Sequence, residues 1–446
     1  MHRSLSRRQF IHTATLAAGA AALTGCATTP RGPRRVPPGA KLKLGIIGCG
    51  GKGWGDLEGV AGEDIVALCD VDERALQHAA KRIPGARLFR DYRVMLAEVA
   101  DLDGVTISIP DHQHAPAALR AMARGLHVYV QKPLTHTVRE ARLMAETARR
   151  HGVATQMGNQ GASSHAAREL YEWMATDPIG PVRELHAWTD RPIWPQGKDR
   201  PAGADPVPAH LDWDLWLGPA AARPFVRRYP DVDRDVYHPF CWRGWWDFGT
   251  GALGDIACHT LHAPALALAL GPPERVELVD VSDEKPESFP AWSVIRWDFP
   301  ARGRHPALTL YWYDGGKKPP LPEEMARGEW DDNGVLFVGD RGKIYRNRLI
   351  PESLMKDVQR PAPTLPRIPN EDHYQDWLEA CRGGRPASSN FDVAGPLTET
   401  VLLGNVALKL RRAITWDARR MRVPGVREAD ALIRGAYRMG WEASAG

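Results

Sequence analysis

The sequence contains little that could cross a membrane, although it is 446 residues long. A spanning helix needs about 20 consecutive apolar residues. The small-residue apolar run from Thr13 to Leu23 covers about a dozen positions, which is the length of a signal-peptide core. We therefore expect a signal at this position and not a transmembrane anchor.

Cysteine is also scarce, and the sequence has six: Cys26, Cys49, Cys69, Cys241, Cys258 and Cys381. They form no CxxC pair and have no regular spacing, whereas zinc sites and disulfide frameworks require such patterns. Two of them, Cys49 and Cys69, fall at the ends of predicted buried strands, where cysteine behaves as a small core residue. We expect neither a disulfide framework nor a metal site.

The chain lacks a strong excess of either charge. Its formal net charge is +4, and the first 25 residues include three arginines and no acid, so the remainder has a net charge of +1. A near-neutral body argues against nucleic acid as a partner. No internal repeat is visible, and nothing after residue 40 is of low complexity. A chain of this length exceeds what one core serves, so we expect two domains.

The N-terminal 25 residues resemble an export signal. The hexapeptide SRRQFI is similar to the twin-arginine pattern, whose transport route carries folded proteins. Leu23-Thr24-Gly25-Cys26 resembles a lipobox, in which Cys26 would be lipidated, and the Pro/Gly/Arg-rich residues 26–40 would be an extended tether. These features predict an exported, periplasmic, membrane-anchored lipoprotein. The alternative is a flexible basic N-terminus with a chance alanine run.

A glycine-rich loop follows the first apolar strand. The strand Leu42–Ile47 runs directly into Gly48-Cys49-Gly50-Gly51-Lys52-Gly53, a GxGxxG pattern between a strand and a helix. Gly48 would allow the tight turn, Gly50 would let the backbone approach a pyrophosphate, and Gly53 would let the helix pack closely. The pattern predicts a dinucleotide site, although glycine-rich turns are common.

An acid follows the second apolar strand at the distance that such a site requires. Asp70 comes after the strand Ile65–Cys69, 22 residues past Gly48, where a carboxylate would meet the ribose hydroxyls of NAD. A carboxylate would repel the 2'-phosphate of NADP, although Arg74 could turn toward that phosphate, so NADP stays possible. The alternative role of Asp70 is a helix N-cap ahead of residues 73–81.

Strands and helices alternate after this unit. The sequence predicts strands at 105–109, 127–130 and 154–157 and helices at 115–124 and 137–151. Such alternation indicates a doubly wound parallel sheet that binds its ligand beyond the carboxyl ends of the strands. The strand-end segments 110–114, 131–133 and 158–160 are therefore candidate site residues.

The set LGIIGCGGKG, IPDHQH, GLHVYVQKPL and GTGALGDIACH resembles the Gfo/Idh/MocA oxidoreductases. The resemblance covers nearly everything from residue 41 onward. It implies an α/β protein with a Rossmann domain at 41–160. It also implies a C-terminal substrate and catalytic α/β domain at 161–446, whose open, mostly antiparallel sheet faces the nicotinamide. We expect a homo-oligomer.

The resemblance also assigns cofactor residues. Lys132 matches the lysine of the family's E-K-P motif, which lies beside the nicotinamide and the reacting carbon, and His114 and Asn159 would border the cofactor. Gln131 stands where the family often has Glu, so we expect the Lys132 ammonium to be neutralised more readily. The predicted cofactor contacts are Gly48, Gly50, Gly51, Lys52, Gly53, Asp70, Pro110, His114, Gln131, Lys132 and Asn159.

The second half supplies candidate proton-transfer groups. Asp255 and His259 are four residues apart, so both project from one face if the segment from Ala252 is helical. A dehydrogenase needs a partner for the hydroxyl proton, and a histidine or a desolvated lysine can be tuned for that role. The spacing alone also fits a surface pair, but the family's DxxxH motif matches Asp255 and His259. We predict that Lys132, Asp255 and His259 are catalytic. The family often has Asp where this chain has His262.

Tryptophans concentrate just upstream, among loop-like segments. Large aromatic faces with a polar N–H suit a pyranose ring, although core packing is the usual role of any single Trp. The predicted substrate contacts are Trp188, Arg243, Trp245, Trp246 and Asp247. Further strands are expected at 182–188, 275–281, 292–297, 307–313 and 335–338, and the C-terminal part reads as helices that close the fold.

Export and a dinucleotide site together restrict the reaction. We expect no free nicotinamide pool outside the cytoplasmic membrane, so NAD or NADP must be loaded before transport, held tightly and recycled within the site. One such enzyme oxidises one sugar and reduces another, as in the related glucose-fructose oxidoreductases. A second returns the electrons to the same molecule and hydrolyses a glycoside, as in the related NAD-dependent glycosidases. We predict an NAD(P)-dependent oxidoreductase of a sugar or glycoside hydroxyl, and a non-catalytic nucleotide-dependent sensor is the remaining alternative.

Overall fold

The computed structural model describes residues 32–37, 39–283, 285–325, 329–356, 359 and 361–442. Its first sheet is parallel, with the strand order β3-β2-β1-β4-β5-β6. The strands are β1 (Lys43–Ile47), β2 (Asp64–Cys69), β3 (Arg87–Phe89), β4 (Gly104–Ile107), β5 (His127–Gln131) and β6 (Thr155–Gly158). The helices between them are α1 (Lys52–Gly59), α2 (Glu73–Arg82), α3 (Tyr92–Glu98), α4 (Asp111–Ala123) and α5 (Val138–His151). The predicted doubly wound parallel sheet is confirmed, and the short edge strand β3 is an addition to it.

Local sequence explains why these elements form. The central strands β1 and β4 are almost wholly buried, as expected for parallel strands that are covered by helices on both faces. Helix α5 begins with a capping box between Thr137 and Glu140 and ends at Gly152, whose φ of 62° is left-handed. These signals set the helix ends at the positions that the sequence predicts.

The second sheet is mixed and mostly antiparallel, in the order β13-β12-β11-β7-β10-β9-β8-β14. Its strands are β7 (Val182–Trp188), β8 (Arg275–Val281), β9 (Ser293–Phe299), β10 (Leu308–Tyr313), β11 (Gly334–Gly339), β12 (Lys343–Tyr345), β13 (Arg348–Ile350) and β14 (Ile414–Thr415). The helices are α6 (His165–Met174), α7 (Trp213–Leu217), α8 (Gly251–Thr260), α9 (His262–Ala267), α10 (His373–Cys381), α11 (Phe391–Leu410) and α12 (Arg427–Arg434). The five predicted strands are present, and the two- and three-residue strands β12, β13 and β14 were not predicted.

Helices α8 and α11 cover one face of this sheet. In α11, a Cβ on Gly404 would lie 2.5 Å from the ring of Trp297 in β9, and a Cβ on Gly395 would lie 3.2 Å from the Ala141 carbonyl oxygen in α5. Small residues thus let α11 pack against both halves of the chain, which share one continuous core. The described strands of this sheet contribute no residue to the cleft at the first domain's ligand edge, whereas α8 does. That the sheet itself faces the nicotinamide stays a prediction.

Helix α10 returns to the first sheet. Its residues Trp377 and Leu378 are fully buried in a cluster with Leu42 and Leu44 of the first domain. Helix α10, one of the helices that the sequence predicts to close the fold, therefore completes the packing of the first domain.

Part of the predicted tether packs on the domain. Arg34 donates two hydrogen bonds to the Asp103 carboxylate, at 2.6 and 2.7 Å, and Val36 packs against the cluster that contains Leu42. Residues 32–37 are therefore docked, whereas the predicted signal at 1–25 and Cys26 lie outside the described residues. Among the residues that are described, no helix is both long enough and apolar enough to span a membrane.

Candidate active site

A cleft of about 530 Å³ lies at the carboxyl ends of the first sheet, where α8 and loops of the second half close over it. Ligands of doubly wound sheets bind at this edge. The predicted site residues that line it are Gly48, Gly50, Gly51, Lys52, Asp70, Pro110, Gln131, Lys132, Arg243, Asp255 and His259. Residues from both halves of the chain therefore face one cavity.

The glycine loop leaves room for a pyrophosphate. Gly48 has a φ of +87°, and a Cβ there would lie 2.3 Å from the Ser108 carbonyl oxygen. A Cβ on Gly53 would lie 2.0 Å from the Gly48 carbonyl oxygen, so both positions require glycine for packing. Gly50 and Gly51 are exposed at the N-terminus of α1. Backbone N–H groups and the helix dipole at such a position suit a pyrophosphate, so the loop fits NAD.

A buried carboxylate supports this loop from behind. Asp56 in α1 is fully buried and accepts hydrogen bonds from four side chains: Lys52, Ser108, Gln131 and Tyr374. Burial opposes the charged form of Lys52, but the Asp56 charge and the hydrogen bonds to Asp56 and Tyr374 together outweigh it and raise the Lys52 pKa. Tyr374 lies in α10, where no local pattern of residues indicates a site contact. Its role depends on the return of the chain to the first sheet.

The Asp56 network explains why Gln131 replaces the family's Glu. The Gln131 amide donates to both Asp56 oxygens, at 3.0 and 2.8 Å, and a Glu would place a second carboxylate there. Gln131 has no charge, but the Asp255 carboxylate lies 2.9 Å from the Lys132 ammonium, so Lys132 has an anion beside it. The expectation that Lys132 is neutralised more readily stays a prediction.

Asp70 is tied to the glycine loop. Its carboxylate accepts hydrogen bonds from the backbone N–H of Cys49 at 2.7 Å and of Gly50 at 3.2 Å. The alternative role as an N-cap is wrong, because Asp72 caps α2 by accepting from the Arg74 N–H. Asp70 lines the cleft, as a ribose contact requires. The Arg74 guanidinium pairs with Asp72 at 2.8 Å.

A strap from the second half crosses the end of the cleft that Asp70 lines. We use this name for residues 205–240. The Asp212 N–H donates to the Val71 carbonyl oxygen at 3.0 Å, and His238 Nε2 lies 3.0 Å from an oxygen of Asp72. Although burial opposes it, hydrogen bonding from His238 lowers the pKa of Asp72. Contacts of the strap thus close over the dinucleotide half.

Asp255 on α8 joins two cations. Its carboxylate lies 2.9 Å from Lys132 Nζ and 3.0 Å from Arg243 Nε, and Lys132 also donates to its backbone carbonyl oxygen at 2.8 Å. Burial alone would raise the Asp255 pKa, but the two cations lower it below its ordinary value. Asp255 is therefore a carboxylate at neutral pH that orients Lys132.

His259 lies one turn further on the same helix, as the spacing predicts. Its Nδ1 is 3.0 Å from Asn159 Oδ1, while Asn159 Nδ2 donates to the Cys258 carbonyl oxygen at 2.9 Å. Because Oδ1 is an acceptor, His259 has its proton on Nδ1, and Nε2 has a free lone pair. Burial and the Lys132 charge lower the His259 pKa to about 4, so the imidazole is neutral at physiological pH.

Three predicted cofactor contacts do not line the cleft. Asn159 is buried behind His259, and Gly53 lies under the loop. His114 is buried with its ring nitrogens 2.7 Å from the Ile109 carbonyl oxygen and 2.8 Å from that of Pro133. It therefore holds two strand ends in place. His262 is also buried and lies outside the cleft lining.

Two predicted substrate contacts are core residues. Trp188 is fully buried against Trp330, with ring centroids 4.8 Å apart, and its N–H donates to the Asp331 carbonyl oxygen. Trp245 is fully buried, and its N–H donates to the Val236 carbonyl oxygen. Their ring faces and their N–H groups are already engaged in the core, so the prediction of a cleft position for them is wrong.

Trp246 and Asp247 lie on a different cavity, of about 420 Å³, and Asp247 pairs there with Arg223. Arg243 is the predicted substrate residue that does line the cleft. Other aromatic side chains line it instead: Tyr92, Trp194, Trp216, Phe240, Trp242 and Trp441. The loop location of the tryptophan cluster was an informative signal, but it did not distinguish inward-facing rings from cleft-facing ones.

The comparisons with known proteins agree with this arrangement. Residues 42–159 match the oxidoreductase family with an NAD-binding Rossmann fold, and residues 184–443 match the C-terminal α/β domain of that family. A glycosyl hydrolase family 109 protein of Shewanella amazonensis is 31% identical over 167 residues, which cover 32% of this chain and 37% of that protein. The chain thus matches little more than a third of this curated relative's length.

Solved structures share the fold. The WlbA dehydrogenase of Bordetella pertussis, in complex with NADH and UDP-GlcNAcA, superposes with a TM-score of 0.58 at 16% identity, over 84% of this chain and 99% of WlbA. The UDP-N-acetylglucosamine 3-dehydrogenase GnnA of Acidithiobacillus ferrooxidans gives 0.51 at 16% identity, over 83% and 98%. With both domains matched in order, the chain belongs to the Gfo/Idh/MocA oxidoreductase family.

Proposed function

We propose that the protein oxidises a hydroxyl group of a sugar or glycoside, using NAD that stays bound and is recycled. The observation that supports this best is the meeting of Lys132, Asp255 and His259 at one cleft with the glycine loop. NAD held by Gly50, Gly51 and Asp70 would supply the two-electron acceptor for a carbinol carbon.

Lys132, Asp255 and His259 would have different roles in proton transfer. Lys132 would donate a hydrogen bond to the reacting oxygen, and Asp255 would orient Lys132 through the contacts at 2.8 and 2.9 Å. His259 would accept the hydroxyl proton at Nε2, because its Nδ1 is already bonded to Asn159. A neutral imidazole with one fixed tautomer is suited to that task.

A carbohydrate suits the remaining cleft wall. Trp194 and Trp242 offer aromatic faces, and Arg243 and Arg191 offer hydrogen-bond donors, which is the combination that a pyranose requires. The UDP-sugar ligand of WlbA and the name of the Shewanella relative also support this substrate class.

NAD is favoured over NADP at the ribose end of the cleft. Asp70 and Asp72 both line this end, and their carboxylates would repel a 2'-phosphate. Arg74, which could otherwise attract that phosphate, pairs with Asp72. NADP is therefore the less supported cofactor.

The strap supports tight binding. Dissociation of a dinucleotide past residues 205–240 would require the Asp212–Val71 and His238–Asp72 contacts to open. Tight binding in turn suits the export that we propose from the twin-arginine and lipobox patterns. The folded protein would then be loaded with NAD before transport, anchored in the periplasm by a lipid on Cys26, and assembled as a homo-oligomer.

The test is to purify the full chain, denature part of it, and measure the released nucleotide. We expect NAD in the preparation, and we expect one member of a sugar panel to raise the 340 nm absorbance of the native protein. A protein that contains no nucleotide and takes up none would overturn the proposal. Bound NAD that no sugar reduces would instead favour a nucleotide-dependent sensor.

Net hydrolysis of a glycoside is a second candidate, because two further groups whose pKa values are shifted by burial line the cleft besides the Lys132–Asp255 pair. One is His259, and the other is Asp111. Oxidation at C3 would make the C2 hydrogen acidic, and the C1 substituent could then leave. Incubation with glycosides in deuterated water tests this: deuterium at C2 of a hydrolysed product supports elimination, whereas a keto-sugar or lactone supports simple oxidation.

A further inference from the structure

Asp111 is a buried aspartate in the cleft whose hydrogen bonding is incomplete. It is the first residue of α4, follows the carboxyl end of β4, and is 2% exposed. One oxygen, Oδ2, accepts a hydrogen bond from the Thr250 hydroxyl at 2.7 Å. The other oxygen, Oδ1, is buried and has no hydrogen-bond partner. A buried polar atom without a partner is costly, so this arrangement requires a reason.

The groups that face Asp111 place its pKa close to neutral pH. Burial and the Asp255 charge raise its pKa to about 7, while the Thr250 hydrogen bond and the cations Arg243 and Lys132 oppose this. The Cys258 thiol lies close enough for Asp111 to influence its ionisation. A carboxylic acid that keeps its proton near neutral pH can donate it to a bound ligand.

A second buried aspartate shows what a structural role looks like. Asp314, near the second sheet, is 3% exposed and its pKa is also raised, to about 6. It accepts hydrogen bonds from the Ser293 N–H, the Ser293 hydroxyl and the Trp312 indole N–H. Both Asp314 oxygens therefore have donors. Asp111 has one donor on one oxygen, and it lines the cleft.

We propose that Asp111 is a further catalytic residue, the acid that protonates the departing C1 oxygen of a glycoside. The inference rests on the proposed function and narrows its substrate class to glycosides with a leaving group at C1. A protonated Oδ1 requires an acceptor, and the cleft is where a substrate oxygen would supply one.

The proton steps balance between the site and water. The hydroxyl proton that His259 takes during the oxidation first passes to water, and it is regained from water in the re-reduction. In the C3-keto glycoside, His259 Nε2 then takes the C2 proton, the C1–C2 double bond forms, and the C1–O bond breaks. The leaving oxygen keeps the electron pair of that bond and takes the Asp111 proton. Water then adds to C1 and returns one proton to Asp111, and His259 returns its proton to C2. Both groups regain their starting forms.

The test compares two leaving groups in Asp111→Asn. An alkyl glycoside needs protonation of its leaving oxygen, whereas a 4-nitrophenyl glycoside releases a stable phenolate without it. We expect the first-turnover rate of leaving-group release to fall by about 10²–10⁴-fold on the alkyl glycoside. On the nitrophenyl glycoside that rate should change by less than about fivefold, since the acid is dispensable for this step. Asp314→Asn is the matched control and should not separate the two substrates.

Unfolding provides a readout that does not depend on activity. Because folding raises the Asp111 pKa from 3.8 to about 7, the folded protein holds a proton that the unfolded chain releases between these values. The contribution of Asp111 to stability is complete below pH 4 and is lost as the pH rises through 7. The melting temperature of the wild type, relative to that of Asp111→Asn, should therefore fall between pH 5 and 8.

Each outcome of the leaving-group comparison supports or overturns the role of Asp111. Equal losses on both glycosides, or no loss, would overturn the inference. So would a wild type whose bound NAD is reduced by a sugar but which hydrolyses neither glycoside, and that result would leave the oxidoreductase proposal intact. Absence of bound NAD would defeat the proposed function itself. If Asp111→Asn does not fold, Thr250→Val should show the same leaving-group dependence with a smaller loss, and equal effects on both substrates would contradict the inference.

Discussion

The two ends of the cleft satisfy their polar groups in different ways. At the glycine loop, Asp56 accepts hydrogen bonds from four side chains, and its oxygens are fully buried. At α8, His259 Nε2 and Asp111 Oδ1 have no described protein partner. A fully bonded network is rigid and suits holding a cofactor. Groups without partners are available for a ligand. We therefore infer that the glycine-loop end binds the cofactor and that the α8 end holds the groups that act on the substrate.

The largest effect should come from Lys132→Met, which removes the ammonium from the reacting end. Turnover should fall by about 10²–10⁴-fold, the contribution of a positioned proton-transfer group. Bound NAD should remain, because the glycine loop and Asp70 are untouched. The measurement combines steady-state rates with nucleotide released on denaturation.

Lys43→Met is the matched control, since Lys43 pairs with Asp101 far from the cleft. A Lys132→Met variant with the wild-type rate would remove Lys132 from the mechanism. Loss of the nucleotide in the same variant would show that Lys132, at the reacting end of the cleft, is also needed to hold the cofactor.

Asn159 should act on kcat through His259. Asn159→Ala removes the acceptor of the Nδ1 proton, so both tautomers become accessible. We expect kcat to fall about 10- to 100-fold, less than the loss of a whole proton-transfer group, with KM nearly unchanged.

Asn159→Asp is the informative partner variant. Its carboxylate still accepts from Nδ1, so it should be more active than Asn159→Ala. The added negative charge should raise the His259 pKa above about 4 and move the acidic limb of the rate profile to higher pH. Equal activities and unshifted profiles in the two variants would show that Asn159 has only a packing role.

The bonded network at the glycine loop should be sensitive to a second carboxylate. Gln131→Glu would place it against Asp56 and should destabilise the protein by about 1–3 kcal/mol at pH 8. Protonation of one carboxyl group would relieve the repulsion, so the loss should be smaller at pH 5. Urea unfolding at both pH values measures the change in the free energy of unfolding.

The double variant Asp56→Asn/Gln131→Glu exchanges donor and acceptor and should recover part of the loss. Additive effects of the two single changes would contradict the direct contact. The exposed substitution Gln77→Glu on α2 serves as the control and should change stability by less than about 0.5 kcal/mol.

The smallest kinetic effect should come from Trp188. Trp188→Phe removes the hydrogen bond to the Asp331 carbonyl oxygen and should cost about 1–3 kcal/mol of stability, with kcat/KM unchanged. Trp194→Ala, in the cleft, should instead raise KM for the sugar roughly 2- to 12-fold, equivalent to an aromatic contact of about 0.5–1.5 kcal/mol. An increased KM in Trp188→Phe would show that Trp188 contacts the substrate after all.

Prediction from the sequence succeeded where the determinants are local. The GxGxxG turn, the strand that ends before Lys132 and the helical spacing of Asp255 and His259 are each written within a few neighbouring residues. The C-terminal ends of parallel strands meet at one edge, so these local signals also predicted that the residues would share a cleft. The alternative N-cap role of Asp70 was wrong, because Asp72, two residues further on, caps α2.

Prediction failed where a residue's role depends on what packs over it. Trp188 and Trp245 resemble Trp194 and Trp242 in the sequence, and only the tertiary contacts separate buried rings from cleft-facing ones. Tyr374 could not be predicted as a partner of Asp56 because more than 300 residues separate them.

The sequence by itself determined the doubly wound sheet, the glycine loop and the identity of the amine and imidazole that line one cleft. These follow from short-range patterns of apolar residues, glycines and charges. Only the tertiary structure decided that α8, and not the second sheet, forms the cleft wall, and that Asp111 lacks a partner for Oδ1 while Asp56 has several donors. Hydrogen-bond satisfaction depends on groups that distant segments bring together, and no local pattern records it.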